Sequence, residues 1–376
     1  MYPDNINFYL KLFNLIGVHP EKGGNVFQIM TYIFGAFVNL STVFLSILLL
    51  VVKEQVTITD IVDCIESIGL LLHGYLKMTS LFIKRSNILN LLRTMESHFW
   101  NSENMKDSST KKDLQKIFKF LKNVSDFFTF LCTIVAILFI IKGFLGQTIY
   151  EIYIPQWFPF YLSVFYQSLA CVMTITCPVV GTDMFIFTTF MLTSLQFKML
   201  NEEIKSIYGG SEENRIDTHT IKSRLKKCVG HHIFLQNYVK LLNDTFSEVL
   251  FIYNGEIVLS LCVEMYIVST QNSIQAAVKA ALYVFTGLFQ YTVCYCIAAQ
   301  AITDQAGEIS NSVYFSNWYK YPEKYIRTAT ILMMLNGQKP IIITALKFMK
   351  VDLETCLKTI QTMLSYFMFL RTIGIQ

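Results

Sequence analysis

Few side chains of this chain could do chemistry, and most of those stand inside apolar sequence. Glu248, Asn254, Glu256 and Glu264 fall within one hydrophobic stretch, and Asp183 is the sole charge of another. Carboxylates so placed can line an aqueous path that attracts cations; the ordinary alternative is hydrogen bonding between helices, or a position beyond the apolar core. Further on, Thr355, Thr359, Thr362, Tyr366, Phe369 and Thr372 recur every three or four residues. That spacing draws a mostly hydroxylated stripe along one face of a helix. The stripe suits equally a contact inside one chain and the wall of a water-filled pore shared by several copies, narrowed by Phe369 or Ile373.

Other constellations are missing. There is no Gly-rich phosphate loop, nucleophile elbow or His-Glu-x-x-His, so no catalytic residue is expected and the chain is not read as an enzyme. His231-His232 has no partner at ligand spacing, which points to packing or capping and to no metal or other cofactor. Nine cysteines lie mostly in apolar stretches without a CxxC, as small buried hydrophobes rather than bridges. Sequons begin at Asn39, Asn123 and Asn243, each in or beside a hydrophobic segment, where glycosylation would not inform topology.

The elements that must position these residues are set by composition. The chain has 376 residues, 53% hydrophobic and 15% charged, against about 25% charged in a soluble domain. It therefore reads as an integral, all-α membrane protein. A net charge of +4 with no basic tract excludes nucleic acid as a partner. The N-terminus lacks the basic, apolar and small-residue pattern of a cleaved signal, so the first hydrophobic segment is expected to be retained.

A spanning helix needs about 20 mostly apolar residues. Candidates run over 29–52, 61–83, 127–150, 246–269, 280–302 and 351–373, with a longer stretch over 156–197. At about 63 Å if helical, that stretch either spans twice or overshoots. Pro178 and Gly181 can kink a helix without ending it, so one long helix is expected, giving seven spans. With the N-terminus inside, the segments 1–28, 84–120, 198–240 and 304–350 are cytoplasmic and hold roughly 24 of the 31 Lys and Arg residues. The C-terminus, Gly374-Ile375-Gln376, is then extracellular. This is the reverse of a G-protein-coupled receptor, whose acidic-Arg-Tyr and Asn-Pro-x-x-Tyr motifs are also absent. Between Tyr321 and Leu335, apolar residues at helical spacing alternate with Lys324 and Arg327 before the break at Asn336 to Pro340. They form an amphipathic helix, either interfacial on lipid headgroups or packed between subunits.

In order and spacing, Asn311 to Tyr319, Leu332-Met333-Met334, Gln338-Lys339-Pro340, Ala345 to Phe348, Asp352 to Thr355 and Ser365-Tyr366-Phe367 resemble the C-terminal signature of the insect odorant receptor family. Weaker matches extend upstream through Cys228 to His232, Phe246-Ser247, Asp183, Gln196-Phe197 and Pro155 to Pro159. One position departs: the family's Cys-x-x-Gly reads Cys296-Ile297-Ala298-Ala299. The Gln-Phe pair usual after the last-span Tyr in the related gustatory receptors is not found, the chain reading Tyr366-Phe367-Met368-Phe369, which favours the odorant branch.

The resemblance implies a subunit of a tetrameric, ligand-gated, non-selective cation channel assembled with a shared co-receptor at the plasma membrane of a sensory dendrite. The short connection between spans four and five resembles the odour-tuning subunit. Residues 1–303 would form spans one to six with an outer-half pocket and cytoplasmic extensions, 304–350 a cytoplasmic anchor, and 351–376 the pore helix and extracellular C-terminus. By alignment with the co-receptor, Phe369 takes the gate, Thr372 the pore glutamine and Ile373 the final narrowing, with Tyr366 and Thr362 below. For the ligand, position alone nominates Leu72, His73, Ile140, Gly143, Phe144, Gln147, Tyr166, Met173, Thr174 and Tyr283. So apolar a pocket suits a small volatile such as an ester or terpenoid. A G-protein-coupled type of receptor and a gustatory-receptor-like channel are the alternatives.

Overall fold

The computed structural model describes residues 4–101, 108–208, 217–270 and 274–373. The side chain of Ile373 and the C-terminal Gly374-Ile375-Gln376 lie outside the described residues. The elements in order are α1 (Asp4–Leu15), α2 (Val26–Val52), α3 (Ile58–Ile83), α4 (Arg85–His98), α5 (Ser108–Phe144), α6 (Phe160–Cys171), α7 (Gly181–Ile207), α8 (Thr218–Thr270), α9 (Ile274–Phe289), α10 (Ala298–Tyr314), α11 (Lys324–Gly337), a hairpin of β1 (Thr344–Ala345) and β2 (Met349–Lys350), and α12 (Leu353–Ile373). Two π-helical segments, Val172–Val180 and Gln290–Ile297, fuse α6 to α7 and α9 to α10. Pro178 sits inside the first of these, so the long fourth segment continues as one helix from Phe160 to Ile207. The missing proline N–H is absorbed by the wider i→i+5 turn.

Among the described residues, five helical stretches are long and apolar enough to cross a membrane: 26–52, 114–144, 160–207, 218–265 and 280–320. The two other expected spans, α3 and α12, are not among these stretches; charge interrupts each, Asp60, Asp63, Glu66 and Lys77 in one and Glu354, Lys358 and Arg371 in the other. Several helices run past their apolar parts. In α8, 53 residues long, the polar approach from Thr218 is continuous with the apolar half. The third apolar segment stops short of the expected Tyr150. Its helix ends at Phe144, and Gly146 turns the chain with a φ of +86°, a conformation open to glycine. The connection that follows is pinned by Gln167, whose side-chain oxygen accepts from the backbone N–H groups of Ile149 and Tyr150 at 2.8 Å each.

α7 is the axis of the bundle. Every residue from Gly181 to Phe197 is buried, beneath α1, α5, α8 and α10. Phe13 of α1 meets Phe185 edge-on at 5.6 Å, an aromatic contact that holds the first helix to the core. α3 comes very near the first π segment, where a Cβ on Gly74 would lie 2.4 Å from Thr174 Cγ2 and 2.6 Å from its carbonyl oxygen. Ahead of α12, Asn243 clamps the chain: its amide donates to Ile342 O at 3.0 Å and its oxygen accepts from Thr344 N at 2.9 Å. The hairpin turn then uses positive φ at Leu346 and Lys347, the signature of a type I′ turn.

Candidate functional site

Two features of α3 and α8 bring charge into the middle of the bundle. On α3, His73 and Lys77 are four residues apart and share a face. On α8, Tyr253, Glu256 and Ser260 follow the same rule and face them. Lys77 Nζ lies 2.6 Å from Asp183 Oδ1, with both side chains buried, and 4.6 Å from the centre of the Tyr253 ring. Asp183 also accepts from the Gln290 amide and the Tyr295 hydroxyl. Those two donors are five residues apart. In an α-helix they would point well away from each other, whereas one π turn returns them to a common side. The second π segment is thus what lets one helix supply both donors to one carboxylate.

One turn along α3, His73 Nδ1 lies 2.8 Å from Glu256 Oε2, and the Ser260 hydroxyl donates to the other Glu256 oxygen at 2.7 Å. This pair borders a cavity of about 70 Å³. α3 contributes Leu70 and His73, and α5 contributes Cys132, Val135 and Phe139. α8 contributes Tyr253, Glu256, Ile257, Ser260 and Leu261, while Tyr283, Thr286 and Gly287 close it from α9. The wall is mostly apolar with a few polar groups, the composition of a small-molecule site.

Of the nominated ligand positions, the structure brings His73 and Tyr283 together at this cavity. The others lie elsewhere. On α5 the wall is formed by the face through residues 132, 135 and 139. Ile140 is therefore off that face, Gly143 packs against Val164 and Ile149, and Phe144 and Gln147 are exposed. Tyr166 turns to α2, bonding Ser41 and the carbonyl of Val38. Thr174 is buried against Asn39 and Gly74, Met173 is partly buried near Gly35, and Leu72 is half-buried without reaching the cavity. Nothing in the sequence singles out Lys77, whose acid partner is 106 positions away, or the α8 wall, where Glu256 reads only as a carboxylate in an apolar stretch.

The pore-stripe residues divide in two. Thr359 is buried and shares a hydrogen bond with the Tyr291 hydroxyl at 3.1 Å. Cys356 and Met363 flank it on the face that seats α12 against α8 and the second π segment. Beyond it, Thr362, Tyr366, Phe369 and Thr372 are all exposed, Phe369 by 62%. Thr362 and Thr372 donate to carbonyls of their own helix, those of Lys358 and Met368, at 2.8 Å.

His231 and His232 are both buried on the polar approach of α8. His231 stacks on Trp100 at 4.0 Å. Burial pushes its pKa down to about 3, helped by the positive charge of Lys227, and burial takes His232 to about 4. Both are therefore neutral packing groups. Among the described residues no group of three or more His, Cys, Asp or Glu could hold a metal ion.

Residues 57–364 match the family model described as 7tm Odorant receptor. Odorant receptor 13a of Drosophila melanogaster is 28% identical over 233 residues, which cover 58% of this chain and 54% of that protein. Odorant receptor Or2 of Anopheles gambiae is 23% identical over 57% of each. The chain thus aligns with little more than half the length of these two. Odorant receptor 85c of Drosophila melanogaster is 23% identical over 84% of both chains. Among solved structures, the insect olfactory receptor OR5 from Machilis hrabei superimposes with a TM-score of 0.78 over 92% of this chain and 89% of the other, at 15% identity. Its complex with eugenol gives 0.83 over 98% and 97%, also at 15% identity. The likeness to these structures is one of fold.

Proposed function

The chain belongs to the 7tm odorant receptor family, and from that premise we propose that it is the odorant-binding subunit of a ligand-gated, non-selective cation channel. It assembles as a heterotetramer with the family's shared co-receptor at the plasma membrane of a sensory dendrite. All seven expected spans cross, with the N-terminus in the cytoplasm and the C-terminus outside, which puts most of the Lys and Arg on the inner side. A small apolar volatile such as an ester or terpenoid opens it.

The observation that carries the channel reading is the outward face of α12. In a lone subunit Thr362, Tyr366, Phe369 and Thr372 are all exposed, Phe369 by 62%. Four copies of that face around an axis give a hydroxyl-lined path with an aromatic constriction at Phe369, continued by Thr372 and Ile373. Ligand contact falls to His73 and Tyr283 at the cavity. Leu72, Ile140, Gly143, Phe144, Gln147, Tyr166, Met173 and Thr174 reach it only in a wider arrangement. Odorant opens the channel by binding that arrangement more tightly than the closed one.

Co-expression with the co-receptor, followed by current recording over an odour panel with G-protein signalling blocked, tests this. Odour-evoked cation currents are expected, altered in closure or ion preference by Phe369→Ala. An N-terminal tag accessible outside intact cells, or responses that vanish with the G protein, would overturn it.

A further inference from the structure

Resting on the cavity as the ligand site, we infer that the ligand is held through a hydrogen-bond-accepting oxygen, a carbonyl on an otherwise apolar molecule, by the Nε2–H of His73. His73 is 7% exposed; its Nδ1 is engaged by Glu256, and its buried Nε2 has no hydrogen-bond partner. Three other polar groups of the wall are committed. Ser260 donates to Glu256, Thr286 to the carbonyl of Leu282, and Gln290 to Asp183.

Charge decides what Nε2 offers. A carboxylate facing an imidazolium and a carboxylic acid facing an imidazole differ only in where their shared proton sits. Both are neutral overall, and in both Nε2 carries a hydrogen. A form with a bare Nε2 requires a carboxylate without a balancing cation in a low-dielectric site, which is costly. Lys77 cannot supply that balance, being matched by Asp183 at 2.6 Å. His73, a residue of this mostly apolar wall, therefore carries an unengaged donor. A ligand with a carbonyl satisfies it, while a hydrocarbon of the same shape buries it unpaired. Sites of this kind discriminate strongly against the analogue that lacks the polar group.

The test compares two probes of nearly equal shape, 2-heptanone and 2-methyl-1-heptene, in which a methylene replaces the carbonyl oxygen. Binding is read from the concentration dependence of thermal stabilisation of the purified full chain. The ketone is expected to bind about 10- to 100-fold more tightly. The charge-balanced variant His73→Leu/Glu256→Gln should bind both probes equally, and His73→Gln, which keeps an N–H donor, should retain part of the preference. Equal binding of both probes to the unaltered chain overturns the donor assignment and leaves the cavity as a ligand site. A preference that persists in the double variant also overturns it. Binding of neither probe overturns both readings.

Discussion

Helices α7 and α12 both carry polar residues through apolar surroundings, yet one is buried on every side and the other is exposed on most. α7 places Asp183 where three side chains from two other elements meet it: Lys77 from α3, and Gln290 and Tyr295 from the second π segment. α12 buries Cys356, Thr359 and Met363, while the hydroxyls of Thr362, Ser365 and Thr372 bond only to carbonyls of their own helix. Intrahelical bonding removes the cost of an unsatisfied hydroxyl without fixing any tertiary partner. The polar residues of α7 therefore define the fold of one subunit, and those of α12 leave a surface for water or another copy.

The comparison breaks most directly at Asp183. Asp183→Asn keeps the shape but leaves Lys77 buried without its counter-charge, and about 3–5 kcal/mol of stability should be lost. Lys77→Met/Asp183→Leu removes both charges and should recover most of that. Melting of the detergent-solubilised subunit measures both; equal melting temperatures for Asp183→Asn and the unaltered chain would mean the pair does not organise the core. Gly74→Ala comes next, at about 1–3 kcal/mol. Two of the three atoms its Cβ would crowd belong to the Thr174 backbone and cannot rotate away. A variant as stable as the parent would show that α3 can retreat from the π segment.

Much of this contrast was legible in the sequence. The apolar stretches, the uninterrupted helix through Pro178 and the periodic stripe of α12 are local patterns, and local patterns survive folding. Lys77 was not legible, because its partner lies on another helix and no acid stands three or four positions from it. The α5 wall of the cavity depends on helix rotation, which a nearly all-apolar segment does not record. Asn243 looked like a sequon and instead clamps the strand before α12. Its role depends on β1 arriving beside α8, a long-range event. The second π segment was equally hidden, since nothing in Gln290 to Ile297 marks a wider turn.

A smaller effect separates the polar approach of α8 from both helices. His231 and His232 are neutral in the fold, with pKa values of about 3 and 4, against about 6.5 when unfolded. The unfolded chain binds more protons between those values, so this part of the stability is complete above about pH 6.5 and is lost as the pH falls toward 4 and then 3. The melting temperature should fall over that window by a few degrees, and His232→Leu should flatten the slope. An unchanged slope would mean that His232 is already charged in the fold.

The smallest expected effect on the single subunit is on α12 itself. Phe369 is 62% exposed and packs against nothing that its removal would leave hollow, so Phe369→Ala should leave the melting temperature of the isolated chain unchanged. The exposed Lys358–Glu354 pair, 2.6 Å apart at i,i+4, behaves alike, because solvent screens it and Lys358→Ala strands no buried charge. Inside an assembled channel the same two substitutions part company. On the proposed reading Phe369 borders the axis and its truncation should alter closure, whereas Lys358 lies about three helical turns earlier, outside the constriction. Melting of the isolated chain and current decay in the assembled channel, measured on both variants, test this. A stability loss for Phe369→Ala in the isolated chain would place that ring inside the subunit and return the α12 stripe to the same category as α7.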